Sequence, residues 1–171
     1  NDRALHFACH IGCVARSVFT ALAPSGHFFA YGRVIVMGHS LGSVIAYDTL
    51  NALLNEDRLA GGALRVKDRT KLFLTFGSPL DKTAFLFRTQ AKQDAAIREA
   101  LAASVQPMIQ DYERPPWINL CSRNDWISGS LEYYDVSKDA PGHVINREDP
   151  SASTPLAAHV EYWEGELLAR T

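Results

Sequence analysis

The sequence predicts an α/β domain with a mostly parallel sheet flanked by helices. Three observations predict it. Short apolar runs at Val34–Val36, Lys71–Phe76 and Trp117–Ser122 read as buried strands, the first of them wholly β-branched. A helical pattern follows the first run directly, over Ser43–Asn55. Helical and strand segments then alternate through links marked by Gly and Pro, as a parallel sheet requires. The 171 residues, 47% hydrophobic and 21% charged, suit one domain with a real core.

Taken in order, Asp2 can cap a helix running to about Leu22, with Phe7, Ile11, Val14, Val18 and Leu22 as its apolar face. His6, Cys9, His10 and Cys13 carry ligand-type side chains. One helix presents only two such groups, at i and i+4, to one ion, so tetrahedral zinc would need ligands from elsewhere. They read as a solvated face, and no metal is expected. Pro24-Ser25-Gly26 ends the helix, and His27–Gly32 leads into the first strand.

After that strand, Val44, Ile45, Tyr47, Leu50, Leu53 and Leu54 give the next helix a broad apolar face, and Asp48, Asn51 and Asn55 a polar stripe. Asn55-Glu56-Asp57 and Gly61-Gly62 read as a polar connection. Lys71–Phe76 is the second strand, ended by Gly77-Ser78-Pro79. Leu80–Gln90 is less regular, and its Phe85-Leu86-Phe87 cluster suits either a lid or acyl-pocket wall or plain core. Ala91–Ile109 is Ala-rich and helical. Pro115-Pro116 precedes the third strand, Trp117–Ser122. Lys138–Pro155 reads as loop with one short strand at Gly142–Asn146. A final helix starts at His159, with Val160, Trp163 and Leu167 forming its i, i+3, i+7 face and Leu168 beside it.

The first strand runs into Gly38-His39-Ser40-Leu41-Gly42, a Gly-x-Ser-x-Gly turn between strand and helix. Such a turn lifts the serine hydroxyl clear of the sheet. Gly38 and Gly42 are expected to remove Cβ atoms that would crowd it, and the Leu41 N–H to face a developing oxyanion. A serine hydroxyl needs a base to take its proton and a carboxylate to hold that base. On this kind of turn the acid follows the serine in the chain, and the histidine follows the acid. Asp125, three residues past the third strand, is the preferred acid, with Asp81 in reserve; Asp135 is further from any strand end. His6, His10 and His27 precede the serine, and His39 cannot reach round as the base. His143 and His159 remain, and His159, at a loop-to-helix junction, is preferred. In this assignment His159 takes the proton from Ser40, and Asp125 orients the imidazole.

The stretch Gly38–Asp48 resembles the nucleophile elbow of serine lipases and esterases of the α/β-hydrolase superfamily. Phe76-Gly77-Ser78-Pro79 is also lipase-like. His159-Val160-Glu161-Tyr162-Trp163 is similar to a His-x-x-Tyr-Trp ending of lipase-related hydrolases, including DDHD-type phospholipases. The resemblance implies an α/β-hydrolase fold and cleavage of small-molecule or lipid esters through an acyl-enzyme, without a cofactor. It also implies strands ahead of the helix that leads into the elbow, and a loop there giving a second oxyanion donor. Neither is found in the sequence. Residues 1–171 are therefore expected to be the C-terminal part of a single α/β-hydrolase domain lacking its N-terminal strands, and poorly soluble or inactive alone.

Other classes fit less well. A net charge of -2 with no basic stripe argues against a nucleic-acid partner. No apolar run is long enough for a transmembrane segment. Three cysteines without framework spacing suggest a reducing, cytoplasmic setting. No phosphate-binding Gly-rich loop is present. An acyltransferase or thioesterase using the same three residues, and a non-catalytic binding module retaining the elbow, stay open. Oligomeric state is not legible.

Overall fold

The computed structural model describes residues 16–21, 30–93, 115–134 and 144–171, with backbone only for 87–93. Strands β1 (Val34–His39), β2 (Thr70–Phe76), β3 (Trp117–Cys121) and β4 (Ile145–Glu148) form one all-parallel sheet in the order β1-β2-β3-β4. Helix α1 (Leu41–Leu59) and the single turn α2 (Val66–Arg69) link β1 to β2, and α3 (Leu80–Gln93) follows β2. A 3₁₀ turn at Glu132–Tyr134 lies between β3 and β4. Beyond β4 come α4 (Ala158–Glu161), a second 3₁₀ turn (Tyr162–Glu164) and α5 (Glu166–Arg170). The chain is thus of the α/β class.

The inner strands β2 and β3 are covered on both faces, which is why they read as apolar runs, while Ile35 and Met37 of β1 are exposed. On one face, Ala46, Tyr47, Leu50 and Leu53 of α1 and Leu80 and Ala84 of α3 pack with Phe73 and Trp117. The rings of Tyr47, Phe73, Trp117 and Tyr134 meet there, with Phe73 and Trp117 centroids 4.9 Å apart. On the other face Leu74, Phe76 and Leu120 are covered by Ala152, Ala158 and Tyr162. Phe73 and Leu74, neighbours in sequence, serve opposite cores because strand side chains alternate. Each such fully buried side chain contributes about 1.5–3 kcal/mol.

A polar ladder crosses the sheet. Thr75, Asn119 and Asn146 are in register. Thr75 Oγ1 donates to Asn119 Oδ1 at 2.9 Å, and Trp117 Nε1 donates to Thr75 Oγ1 at 3.0 Å. Asn119 Nδ2 donates to Asn146 Oδ1 and to the Gly129 carbonyl, and Asn146 Oδ1 also accepts the Leu131 N–H. The ladder therefore ties the loop after β3 to the middle of the sheet.

Several boundaries differ from the sequence expectation, each for a physical reason. Helix α1 runs on to Leu59, through the segment read as a polar connection. Asp57 there is buried and accepts the Leu64 and Val66 N–H groups, both at 2.7 Å, holding the link to β2. Asn51 is buried rather than on a solvated stripe, its Nδ2 donating to the Tyr47 carbonyl. Leu80–Gln90 is helical, not irregular. Phe85 and Leu86 point outward and are exposed, so these two are not core.

The fourth strand is Ile145–Glu148, later than the 142–146 expected. It carries Arg147 and Glu148, polar side chains that the outermost described strand leaves in solvent. The final helix is two short pieces broken at Gly165, whose backbone is extended. A Cβ there would collide with Ser151 Oγ and Asp149 Oδ2. Its buried face is Ala158 and Tyr162, while Val160 and Trp163 are exposed. Of the expected first helix, residues 16–20 are described as helical, and Phe19 rather than Val18 is the buried side chain. The rest of that helix and the 91–109 helix past Gln93 lie outside the described residues.

Candidate active site

The serine turn is built from close backbone contacts. Ser40 has φ +53° and ψ −135°, a conformation non-glycine residues rarely adopt, costing on the order of 1–3 kcal/mol. Its N–H donates to the Phe76 carbonyl at 3.1 Å, and its carbonyl accepts the Ser43 N–H at 2.9 Å. Gly38 lets α1 approach the end of β1, because a Cβ there would lie 2.5 Å from Ser43 Cα. Gly42 does not share that role. A Cβ on it would meet no described atom within 4 Å, since it lies in the first turn of α1 and faces outward.

Buried Ser43 locks the turn from behind. Its Oγ donates its one proton to the Ser40 carbonyl at 2.6 Å, so Ser78 supplies the proton of the 2.7 Å Ser43–Ser78 bond.

The Ser40 hydroxyl donates to His159 Nε2 at 2.8 Å, and His159 Nδ1 donates to Asp125 Oδ2 at 2.9 Å. The carboxylate fixes the tautomer. Only Nδ1 can carry the proton toward it, which leaves the Nε2 lone pair for serine. The Asp125 side chain is 1% exposed. Its Oδ1 accepts the Ile127 N–H at 2.9 Å, and its Oδ2 accepts the Tyr162 hydroxyl at 3.1 Å, which in turn contacts Ser128. Burial pushes the Asp125 carboxyl up. The bonds from His159 and Ile127, the attraction of a His159 cation, and the Tyr162 bond outweigh it and hold the group below the ordinary carboxylate value. The same burial raises the Tyr162 hydroxyl far above its ordinary range, so it stays a donor.

Short elements hold the histidine. The N–H groups of Ser153 and Thr154 donate to the Glu161 carboxylate at 2.8 and 2.9 Å, closing the loop onto α4. Ala158 and Tyr162, flanking His159, are fully buried. His39 Nε2 donates to the His159 carbonyl at 2.7 Å, and its ring stacks on Phe76 with centroids 5.0 Å apart. Gly77, with φ +58°, leaves room for both histidines. A Cβ there would lie 3.1 Å from His39 Nε2 and 3.3 Å from His159 Cε1.

The structure therefore brings Ser40, His159 and Asp125 together, as the sequence reading paired them. Leu41 is the first residue of α1, so its N–H lies in the helix's first turn, where backbone donors have no intrahelical partner. Asp81 does not join them. It accepts the Tyr133 N–H at 3.0 Å in the first turn of α3, and burial raises its carboxyl. His143, Asp135, His6, Cys9, His10, Cys13 and His27 lie outside the described residues. Tyr162, Ser128, His39 and Gly77 were given no role from sequence. The Tyr of His-x-x-Tyr and the glycine after β2 were the only local signals for two of them.

Ser40, Asp125 and His159 are each followed in the chain by an exposed apolar side chain. Leu41, Trp126 and Val160 directly follow the serine, the aspartate and the histidine, and are 64%, 75% and 59% exposed. A cavity of about 380 Å³, lined by polar groups including Cys121, Arg123, Asn146 and Glu148, touches Asp125 but is not lined by Ser40 or His159. Among the described residues, no group of three or more His, Cys, Asp or Glu could hold a metal ion, and no helix is long and apolar enough to cross a membrane.

No family model, curated protein or solved structure matches the chain.

Proposed function

We propose that the protein is a serine hydrolase of α/β-hydrolase type that cleaves carboxylic esters through an acyl-enzyme. One observation carries the reading: a serine on a strained strand-to-helix turn, 2.8 Å from a histidine whose other nitrogen is held by a buried carboxylate. A solvated surface serine needs none of these. Strain at Ser40 is an expense that the packing of Gly38 and Ser43 sustains.

In the proposed reaction His159 Nε2 takes the Ser40 proton as Oγ attacks the ester carbonyl. The imidazolium formed is stabilised by Asp125, which stays ionised. The Leu41 N–H, at the positive end of α1, stabilises the oxyanion. His159 then gives its proton to the leaving alcohol. In the second half it takes a proton from water as the water oxygen attacks the acyl carbon, and returns it to Ser40 Oγ as the C–Oγ bond breaks and the acid leaves. The three residues need no cofactor. Exposed Leu41, Trp126 and Val160 beside the three polar groups favour esters with an apolar acyl or alkyl part.

The test is stopped-flow hydrolysis of p-nitrophenyl esters of increasing chain length. The expected result is a burst of one nitrophenolate per protein, rising in rate with chain length and absent in S40A. Turnover by S40A equal to wild type refutes the proposal. A thiol or alcohol acceptor that diverts the acyl group from water points instead to acyl transfer by the same residues.

A further inference from the structure

Two adjacent residues of β1 and its turn grip one histidine at two points. Ser40 Oγ lies 2.8 Å from the His159 ring, and His39 Nε2 lies 2.7 Å from the His159 carbonyl. A carbonyl only accepts, so His39 Nε2 carries a proton toward it. The His39 ring is fixed by contact with Phe76 on one side, by the edge of Trp163 at 5.5 Å, and by the His159 ring at 4.9 Å. Gly77 clears the space in which the two imidazoles meet.

Helix α4, which carries His159, is a single turn with no side-chain cap on its N-terminus. A turn of that length is not stable by its own hydrogen bonds. Its position must come from tertiary contacts. Ala158 and Tyr162 fix the two buried flanks, and among the described residues His39 ties the backbone of α4, as distinct from the His159 ring, to the strand that carries the serine.

We propose that His39 is a positioning residue for His159: its Nε2–H ties the base's backbone to the end of β1, so that nucleophile and base move as one body. The inference rests on the ester-hydrolase reading and is tested so that the two fail separately. A clamp keeps the serine–histidine distance constant while α4 fluctuates, and loss of it lowers the fraction of molecules in reactive geometry without altering the reacting groups.

H39F keeps a stacked ring on Phe76 and deletes the donor. H39Q loses the ring and places an amide N–H near the former Nε2. Two readouts are compared. One is the proton NMR resonance of His159 Nδ1–H in protein labelled with ¹⁵N-histidine, which reports the bond to Asp125 without any substrate. The other is the second-order rate of Ser40 labelling by a fluorophosphonate. The expected result for H39F is a shifted or exchange-broadened Nδ1–H resonance and labelling slower by about 5- to 10-fold, the worth of one hydrogen bond. H39Q is expected to recover both, to within about threefold in rate.

A role in packing alone predicts the reverse order, with H39F intact and H39Q impaired, and that result overturns the proposal. A wild-type resonance and rate in H39F overturns it as well. Should H39F not fold, H39M serves as the donor-free variant with the same two expectations. If the wild-type protein takes no label, the ester-hydrolase reading fails, and the resonance alone decides on the clamp.

Discussion

Ser40 holds a backbone conformation that glycine would adopt more readily, yet a hydroxyl is what the histidine meets there. In the proposed mechanism its chemistry acts as a unit with that of His159. S40A and H159A should each reduce ester turnover by about 10⁴-fold or more, since removing one member disables the rest. D125N should cost about 10³- to 10⁴-fold, because the amide no longer fixes the Nδ1–H tautomer. Steady-state kinetics with a p-nitrophenyl ester checks all three. Asp125 also makes a stability prediction. Its folded value lies below the ordinary one of about 3.9, so it stabilises the fold above that pH, and the contribution is lost as pH falls through the lowered value. Urea midpoints measured from about pH 6 down to about pH 3 should therefore fall less in D125N than in wild type. At this scale sequence order alone paired Ser40 with Asp125 and His159, because chain order and strand ends limit the choice. Tyr162 and His39 were not legible as partners, since their contacts join residues 37 and 120 positions apart.

Elements were legible where their pattern was local. The cores of β1, β2 and β3 and the face of α1 follow from apolar periodicity. What failed did so where a single polar residue is held by tertiary partners. Asn119 gives no sign in the sequence of joining three strands, yet it is fully buried and all its bonds are met. N119L should destabilise the domain by about 2–3 kcal/mol, because it leaves the Thr75 hydroxyl proton without its acceptor and the Gly129 carbonyl without its donor. Chemical denaturation reads this directly; a loss under about 0.5 kcal/mol would mean that the ladder contributes little. The broken C-terminal helix has the same origin. Val160, Trp163 and Leu167 suit a helical stripe, but the backbone is extended at Gly165, where a Cβ would collide with Ser151 and Asp149, and Tyr162 is the buried side chain while Val160 and Trp163 are exposed.

Across the whole molecule, Arg69 joins the parts that the sheet alone does not. It is 3% exposed and donates to the Tyr31, Phe19 and Leu64 carbonyls, and its guanidinium lies over the Phe19 ring at 5.2 Å. It thereby binds residues 16–20 and the approach to β1 onto the start of β2. R69M leaves the buried Phe19 carbonyl and the part-buried Tyr31 and Leu64 carbonyls without this donor and should cost about 1–3 kcal/mol in a melt followed by circular dichroism. The α/β class was readable from alternation of elements, since that is a property of the whole chain. The sheet's parallel order follows from the same alternation. The convergence of β1, β3 and the 158–164 segment on one hydroxyl is a property of the folded state alone.

The central claim is that Ser40 is an activated nucleophile, and intact-mass analysis after treatment with a fluorophosphonate tests it most directly. The account predicts one phosphonyl adduct per folded molecule, mapped to Ser40 by peptide analysis and absent in S40A and H159A. Folded wild-type protein that takes no adduct, or takes one that survives in S40A, contradicts it.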